Sequence, residues 1–449
     1  MAAHLRIFTA LILLPLLLPA ATPQLPSFPA MAPAPAPSLS LISTSPSPSP
    51  SLSASCSASP APISLPISWP PSPSPALPTP SPPSSSHSVK AAYWPAYQSD
   101  SFPASAIDTS YFTHLYYAFL LPDQTTYQLL IDPCEDAKLA GFVSTLHSNI
   151  PHPKAMLSIG GGGNNATTFA LMAANQTSRS AFIDSSIAVA RKYGFDGLDL
   201  DWEFPHTQAE MDSLGVLFAE WRAALRREAF VTGRRRLLLT SAVYFAVDFF
   251  LDTVYRKYPA GSIRQNLDWV NAMCYDYSGP WDPFTTGAPA ALYGLKGSNV
   301  STSHGVESWI GAGVPAWKVV MGLPLYGQTW QLKDPNVNGI GSPAVGLGPG
   351  NGTLVYSALV DYNVQNNSTV VYDPATVSMY SIAGNAWIGY DDTWSVGSKI
   401  DFAGREKNLR GYFFWALGFD KGWAISKQGT YCVQYIHYAL RNIYRVTML

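Results

Sequence analysis

Eight short runs of apolar, β-branched or aromatic residues recur along the chain, at 89–94, 114–121, 154–159, 197–202, 237–245, 269–277, 319–326 and 411–417. Several are apolar almost without interruption, as strands covered on both faces must be. Many are separated by stretches of helical apolar spacing, among them 135–148, 180–193, 208–227 and 396–408. A strand followed by a helix, repeated eight times, is the order of an α/β chain whose parallel sheet closes into a (β/α)8 TIM barrel. One interval breaks this order. The stretch from Tyr326 to Gly411 is too long for a single helical crossover and is rich in Gly, Asn, Tyr and Val. A structureless loop of that length is improbable inside a compact domain, so a small α+β insertion is expected at about 328–385, between strands seven and eight.

The barrel occupies only part of the chain. Of 39 prolines, 22 precede Lys90, and Arg6 is the single charged residue before that point. Residues 1–21 join His4 and Arg6 to an apolar run and end on small residues, the pattern of a secretory signal peptide. The rival, a membrane anchor, is interrupted by Pro15 and Pro19 and falls short of the roughly 20 residues a spanning helix needs. No membrane span is expected once the signal is removed. Residues 22–88 repeat Pro, Ser and Ala and cannot bury a core, so they are either a stalk, extended and open to O-glycosylation, or an inert linker. The catalytic domain is then placed at 89–430, with a tail at 431–449. Export would carry the protein to the apoplast or cell wall, with the vacuole as the other destination. In that compartment the Asn-x-Ser/Thr triplets beginning at Asn165, Asn175, Asn299, Asn351, Asn366 and Asn367 become candidate glycan acceptors. Four cysteines, Cys56, Cys134, Cys274 and Cys432, make no disulfide scaffold and no C-x-x-C zinc pattern, and a bridge between Cys134 and Cys432 stays open. A net charge of -2 from 27 basic and 29 acidic residues argues against a nucleic-acid partner, and a monomer is expected.

The most informative residues are Asp196-Gly197-Leu198-Asp199-Leu200-Asp201-Trp202-Glu203. Alternate strand residues share a face and advance roughly 6–7 Å per pair, so Asp199, Asp201 and Glu203 point one way and Leu198, Leu200 and Trp202 the other. In a barrel the acids enter the lumen, with Glu203 at the carboxyl-terminal rim where barrel active sites sit. Mutual repulsion and desolvation raise at least one of their pKa values, which suits Glu203 to hold a proton at neutral pH and deliver it as a general acid. A metal–carboxylate centre is the sharper rival, but beyond Asp276 the sequence offers no convergent ligands such as His-x-His. No cofactor is expected.

Glycoside cleavage usually takes two carboxyl groups on opposite sides of the bond, and here the obvious acids share one strand. A substrate that carries a 2-acetamido group can supply its own nucleophile. The protein then needs an acid, a carboxylate to orient the acetamide, and a hydroxyl to hold it. Asp201 fits the second role, and Asp199 can share its proton. Tyr275 and Asp276, in Met273-Cys274-Tyr275-Asp276-Tyr277, are candidates for the rest. They lie on opposite faces of an ideal strand, so both reach the site only if the strand is already bending there; ordinary barrel packing is the alternative for Tyr275 and Tyr277. Sugar rings stack on aromatic planes, which points to Trp415 at the end of strand eight, and to Trp94, Trp281 and Trp330 as further platforms, although most tryptophans of such a chain serve the core.

The run from Asp196 to Glu203 resembles the D-x-x-D-x-D-x-E motif of glycoside hydrolase family 18. Ser158-Ile159-Gly160-Gly161 resembles its S-x-G-G motif and Met273 to Asp276 its M-x-Y-D motif. Residues 90–97, 112–119, 322–327 and 411–416 look like the corresponding strands of plant class V chitinases, so the likeness covers about 89–428. It implies a secreted chitinase that hydrolyses β-1,4 linkages between N-acetylglucosamine units, in chitin or its oligomers, with retention and substrate assistance. Glu203, Asp201, Asp199 and Tyr275 take the catalytic places. Asp276, Trp415, Tyr93, Phe119, Met273, Tyr326 and Trp281 take substrate-contacting ones, while Asp196, Ser158, Gly160 and Gly161 complete the motifs. Ala91-Ala92 departs from a common Gly-Gly pair, and the Pro/Ser tract and the tail lie outside the family's catalytic domain. The competing expectation is a chitin-binding lectin or receptor-like module on the same fold, for which an intact Glu203 has no physical use; transglycosylation is a third.

Overall fold

A computed structural model describes residues 88–433 apart from 252 and 296. Residues 1–21, expected to be a signal peptide, nearly all of the Pro/Ser tract with Cys56, and most of the tail lie outside the described residues. Among the described residues no helix is long and apolar enough to cross a membrane.

Eight parallel strands close into a barrel: β1 (Val89–Pro95), β2 (His114–Leu120), β3 (Lys154–Gly160), β4 (Gly197–Asp201), β5 (Leu238–Tyr244), β6 (Trp269–Met273), β7 (Val319–Pro324) and β8 (Gly411–Trp415), each beside its sequence neighbours and β8 returning to β1. All eight expected runs form strands, with two shifts. The sixth strand ends at Met273, before residues 274–277, and Tyr326 opens a new strand instead of closing the seventh.

Three strands, β4, β6 and β7, are buried along their whole length and the other five along most of it, because inward side chains fill the barrel and outward ones meet helices. Trp202 shows the second contact, its ring 6.0 Å from that of Phe169 on the helix Ala166–Ala174. The helices start where the sequence supplies caps. Asp132 accepts from the Glu135 amide ahead of Pro133–Ser148, with proline in its first turn, and Thr207 accepts from the Glu210 amide ahead of Gln208–Thr232.

Between β7 and β8, residues 326–390 fold as an antiparallel sheet with one helix, Tyr356–Gln365, before the helix Thr393–Asp401 leads back to β8. The strands of the sheet are Tyr326–Leu332, Ala344–Leu347, Thr353–Val355, Thr369–Asp373, Ser378–Ala383 and Ala386–Tyr390. The insertion therefore spans 326–390, slightly wider than 328–385. Trp330 and Trp387, both fully buried with ring centroids 5.4 Å apart, form its own small core with Leu332 and Ala344. Trp330 is thus a core residue and no sugar platform. Trp94 is likewise buried, its indole N–H donating to the Phe102 carbonyl at 2.9 Å.

At the root of the insertion Asp391 and Lys399 are both buried. The ammonium lies 2.6 and 2.5 Å from the two carboxylate oxygens and 2.5 Å from the Ala290 carbonyl. A two-stranded hairpin, Asp248–Leu251 with Val254–Lys257, follows β5, and the strand pattern gave no expectation of it.

Candidate active site

The register of three neighbouring strands builds the centre of the barrel. Ser158 of β3 and Thr240 of β5 stand beside Asp199 of β4, and Gly160 stands beside Asp201. Asp199 is fully buried and accepts three hydrogen bonds, from Thr240 Oγ1 at 2.6 Å, Ser158 Oγ at 2.7 Å and Tyr93 Oη at 3.0 Å. Burial drives its carboxyl up to about 6, and the three donors pull against that rise.

Asp201, two residues nearer the rim, is treated differently. It is buried, yet its Oδ1 has no hydrogen-bond partner. Burial, then Glu203, then Asp199 hold its pKa well above the usual carboxylate range. Glu203 follows the end of β4 and is partly open to solvent. Burial, with the charge of Asp276 added, pushes it up to about 8 against one hydrogen bond from the Gly162 amide. A carboxyl held near 8 carries its proton at neutral pH and can give it away.

Gly160, the last residue of β3, and Gly161 after it make this crowding feasible. A Cβ on Gly160 would fall 2.0 Å from the Asp201 carbonyl oxygen, and one on Gly161 would fall 2.4 Å from the Phe119 ring. Both residues have positive φ, and the Gly161 amide donates to the Asp201 carbonyl at 2.8 Å. Only a residue without a side chain lets this backbone pass so close.

The difficulty over Tyr275 and Asp276 is resolved by the backbone. The strand has ended at Met273, the Cys274 amide turns back to the Ala272 carbonyl at 2.9 Å, and Asp276 has φ of 58°. Both side chains consequently enter the same electrostatic neighbourhood. Tyr275 is buried and feels Asp201, Glu203 and Asp276; burial first, then those charges, keep its phenol protonated. Asp276 accepts from Tyr326 Oη at 2.8 Å and Gln328 Nε2 at 3.0 Å, and burial lifts its carboxyl to about 6.

Aromatic rings floor the cavity. Trp415 at the end of β8 is half-buried and stacks on Phe119, 5.6 Å between centroids and 18° between planes. Tyr93 lies beneath, 5.7 Å from Trp415 and stacked on Tyr116 at 4.4 Å.

Tyr93 requires a correction. It was expected to touch substrate, but it is 1% exposed and its hydroxyl is committed to Asp199 while accepting from Asn271 Nδ2 at 2.8 Å, so it supports the carboxylate from below. Met273 and Tyr326 are buried too, the latter reaching the site through its bond to Asp276. Trp281 packs over Gly279 on the loop after β6, where a Cβ would fall 2.5 Å from its ring. Asp196 lies at the opposite end of β4, bound to Lys154 Nζ at 2.7 Å and to the Ala155 amide at 3.0 Å, in keeping with a structural place.

Thr240, Asn271 and Gln328 belong to the same network and were not singled out from sequence. For Thr240 and Asn271 the signal is faint, a polar residue on a largely apolar barrel strand, and for Gln328, on the first strand of the insertion, there is none. Among the described residues no group of three His, Cys, Asp or Glu side chains is set to hold a metal ion, and Cys134, Cys274 and Cys432 are all free thiols.

Comparison with known proteins agrees with this geometry. Residues 89–420 match the family model described as Glycosyl hydrolases family 18. Class V chitinase CHIT5a of Medicago truncatula is 49% identical over 348 residues, which cover 77% of this chain and 89% of that protein. A mutant class V chitinase from Nicotiana tobaccum, solved in complex with NAG4, superposes with a TM-score of 0.73 at 39% identity, covering 77% of this chain and 99% of that one. The chitinase-like agglutinin of Robinia pseudoacacia superposes with a TM-score of 0.70 at 37% identity, with the same coverage.

Proposed function

Because the chain belongs to family 18 of the glycosyl hydrolases, and is a glycoside hydrolase of the chitinase kind, we propose that it is exported and cleaves β-1,4 links between N-acetylglucosamine units of chitin or chitooligosaccharides, with retention and with help from the substrate's own acetamide. The observation that carries this reading is the unequal treatment of three carboxyls along β4 and its exit: Asp199 saturated with donors, Asp201 with an unpartnered oxygen, Glu203 raised to about 8. Glu203 hands its proton to the departing sugar oxygen. Asp201, protonated beside an ionised Asp199, turns its free carboxyl toward the acetamide N–H, and orients the acetamide so that its oxygen attacks the anomeric carbon from below. The Tyr275 hydroxyl, neutral at any working pH, donates to that acetamide oxygen. Trp415 and Phe119 carry the sugar ring above them. Water then opens the intermediate, and Glu203, now ionised, takes the proton back.

Two tests bear on this. Glu203→Gln keeps the shape and loses the transferable proton, so hydrolysis of chitin hexamer should drop by about 10²- to 10⁴-fold while the hexamer still binds. The native enzyme should release the β-anomer first. Equal product release by both proteins, or initial release of the α-anomer, overturns the mechanism. The Robinia agglutinin makes a binding protein on the same fold the second reading; native protein that binds the hexamer and never cleaves it would establish that instead. Export is supported by the signal-like residues 1–21 ahead of the Pro/Ser tract, and amino-terminal sequencing of protein recovered from culture medium tests it. A first residue near Thr22 is expected, and retention inside the cell contradicts it.

A further inference from the structure

The helix Gln208–Thr232 turns Leu214, Phe218, Trp221 and Leu225 into the core, and its last two turns present a different chemistry outward. Residues 222–236 include six arginines and a single acid, Glu228. Arg222 and Arg236 are engaged with Asp268 at 2.8 and 3.0 Å. Arg191 holds Glu228 at 2.6 Å, and Arg234 adds to the positive field on that carboxylate. Arg226, Arg227 and Arg235 are exposed and make no ion pair among the described residues. Phe230 and Val231 stand among them, 90% and 81% exposed.

Helical spacing puts 226, 227, 230 and 231 on neighbouring positions of one outward face. Gly233, at φ of 67°, ends the helix, and the Arg235 carbonyl accepts from Arg191 at 2.9 Å, which fixes the arginine run beside the helix end. Arg235 also lines a small, open recess with Lys154, Arg191 and Arg236, whose own charges are paired with Asp196, Glu228 and Asp268. All of this lies where the chain enters β5, at the end of the barrel away from the carboxylates.

We propose that this surface binds an acidic polysaccharide, a chain of uronic acid residues. A guanidinium fork matches a carboxylate with two parallel hydrogen bonds. The exposed face of Phe230 offers the apolar plane on which a sugar ring stacks. Three exposed guanidiniums, Arg226 and Arg227 on the ridge and Arg235 at the recess, suit a repeated charge better than one compact anion. A lipid surface fits less well: two apolar side chains fall short of the face that an interfacial helix sinks into a membrane, and this helix already uses its apolar face in the barrel. The proposal does not rest on the reading of Glu203, and both ends of the barrel can be occupied together.

The test is retention of the native protein on immobilised polygalacturonate across a salt gradient. Fully methyl-esterified polymer and phosphatidylserine vesicles serve as comparators. Native protein should bind the acidic polymer, with affinity falling steeply as ionic strength rises toward about 0.15 M, and ignore the esterified one. The triple variant Arg226→Ser, Arg227→Ser, Arg235→Ser should lose affinity about tenfold or more. Phe230→Ser should lose about threefold at an unchanged salt dependence. Both variants should cleave chitin hexamer at the native rate, which shows them folded. Absence of native binding, equal binding by the triple variant, equal binding to the esterified polymer, or binding to vesicles in preference to the polymer each overturns the proposal.

Discussion

Four carboxyls, Asp199, Asp201, Glu203 and Asp276, share the mouth of the barrel, and their protonation sets the working pH. Glu203 must keep its proton, so kcat/KM should fall as pH rises through about 8; Asp199 and Asp276, each raised to about 6, should protonate and lower the rate below that. A bell between those limits is expected, and its alkaline limb should vanish from whatever residual activity Glu203→Gln retains. The same shifts act on stability. A carboxyl whose folded pKa exceeds its unfolded one binds more protons when folded, so it stabilises below its unfolded pKa and loses that contribution as pH climbs through the folded value. For Glu203 the window runs from its ordinary 4.5 to about 8. The melting temperature of Glu203→Gln should therefore gain on the native protein between pH 5 and pH 9, and a constant difference would contradict the shift. The inward set Asp199, Asp201 and Glu203 is legible from strand alternation alone. The donors are not, because Thr240 and Tyr93 reach Asp199 from 41 and 106 residues away and nothing local marks them.

At the scale of elements, register does the aligning: β3, β4 and β5 set Ser158, Asp199 and Thr240 in one row, and a slip of one residue would turn all three away from the lumen. The insertion is anchored by the Asp391–Lys399 pair, drawn together in a buried place where burial raises the carboxyl and lowers the ammonium. Lys399→Met leaves the Asp391 carboxylate with no counter-ion and only the Ser395 hydroxyl donating to it, and should cost about 3–5 kcal/mol in denaturant unfolding. Adding Asp391→Leu should restore much of that, since two apolar residues replace two desolvated charges; failure of the double variant to recover would show that the pair does more than compensate itself. The eight strands and the insertion are legible because apolar runs and their spacing are local properties. The hairpin Asp248–Leu251 with Val254–Lys257 is not, since its outer side chains, Phe250 and Tyr255, remain exposed and leave no alternation to read. The turn at Cys274 that brings Tyr275 and Asp276 to one site was equally hidden, because a left-handed aspartate leaves no pattern in neighbouring residues.

For the whole molecule, the proposed chemistry uses only organic groups, a carboxyl as acid and the substrate's amide as nucleophile. Turnover of chitin hexamer should therefore be the same before and after EDTA; activity lost to the chelator and restored by a divalent ion would displace the mechanism. The barrel keeps its two ends distinct, with Glu203 just past one end of β4 and the salt-linked Asp196 just before the other. Between them the aromatic floor is assembled before any sugar arrives. Trp415 already lies flat on Phe119, and Phe119 fits over a glycine that leaves it room. Such a template spends little entropy on ordering itself when a ligand comes, so association should be quick, and selectivity between sugars should reside in how long each one stays.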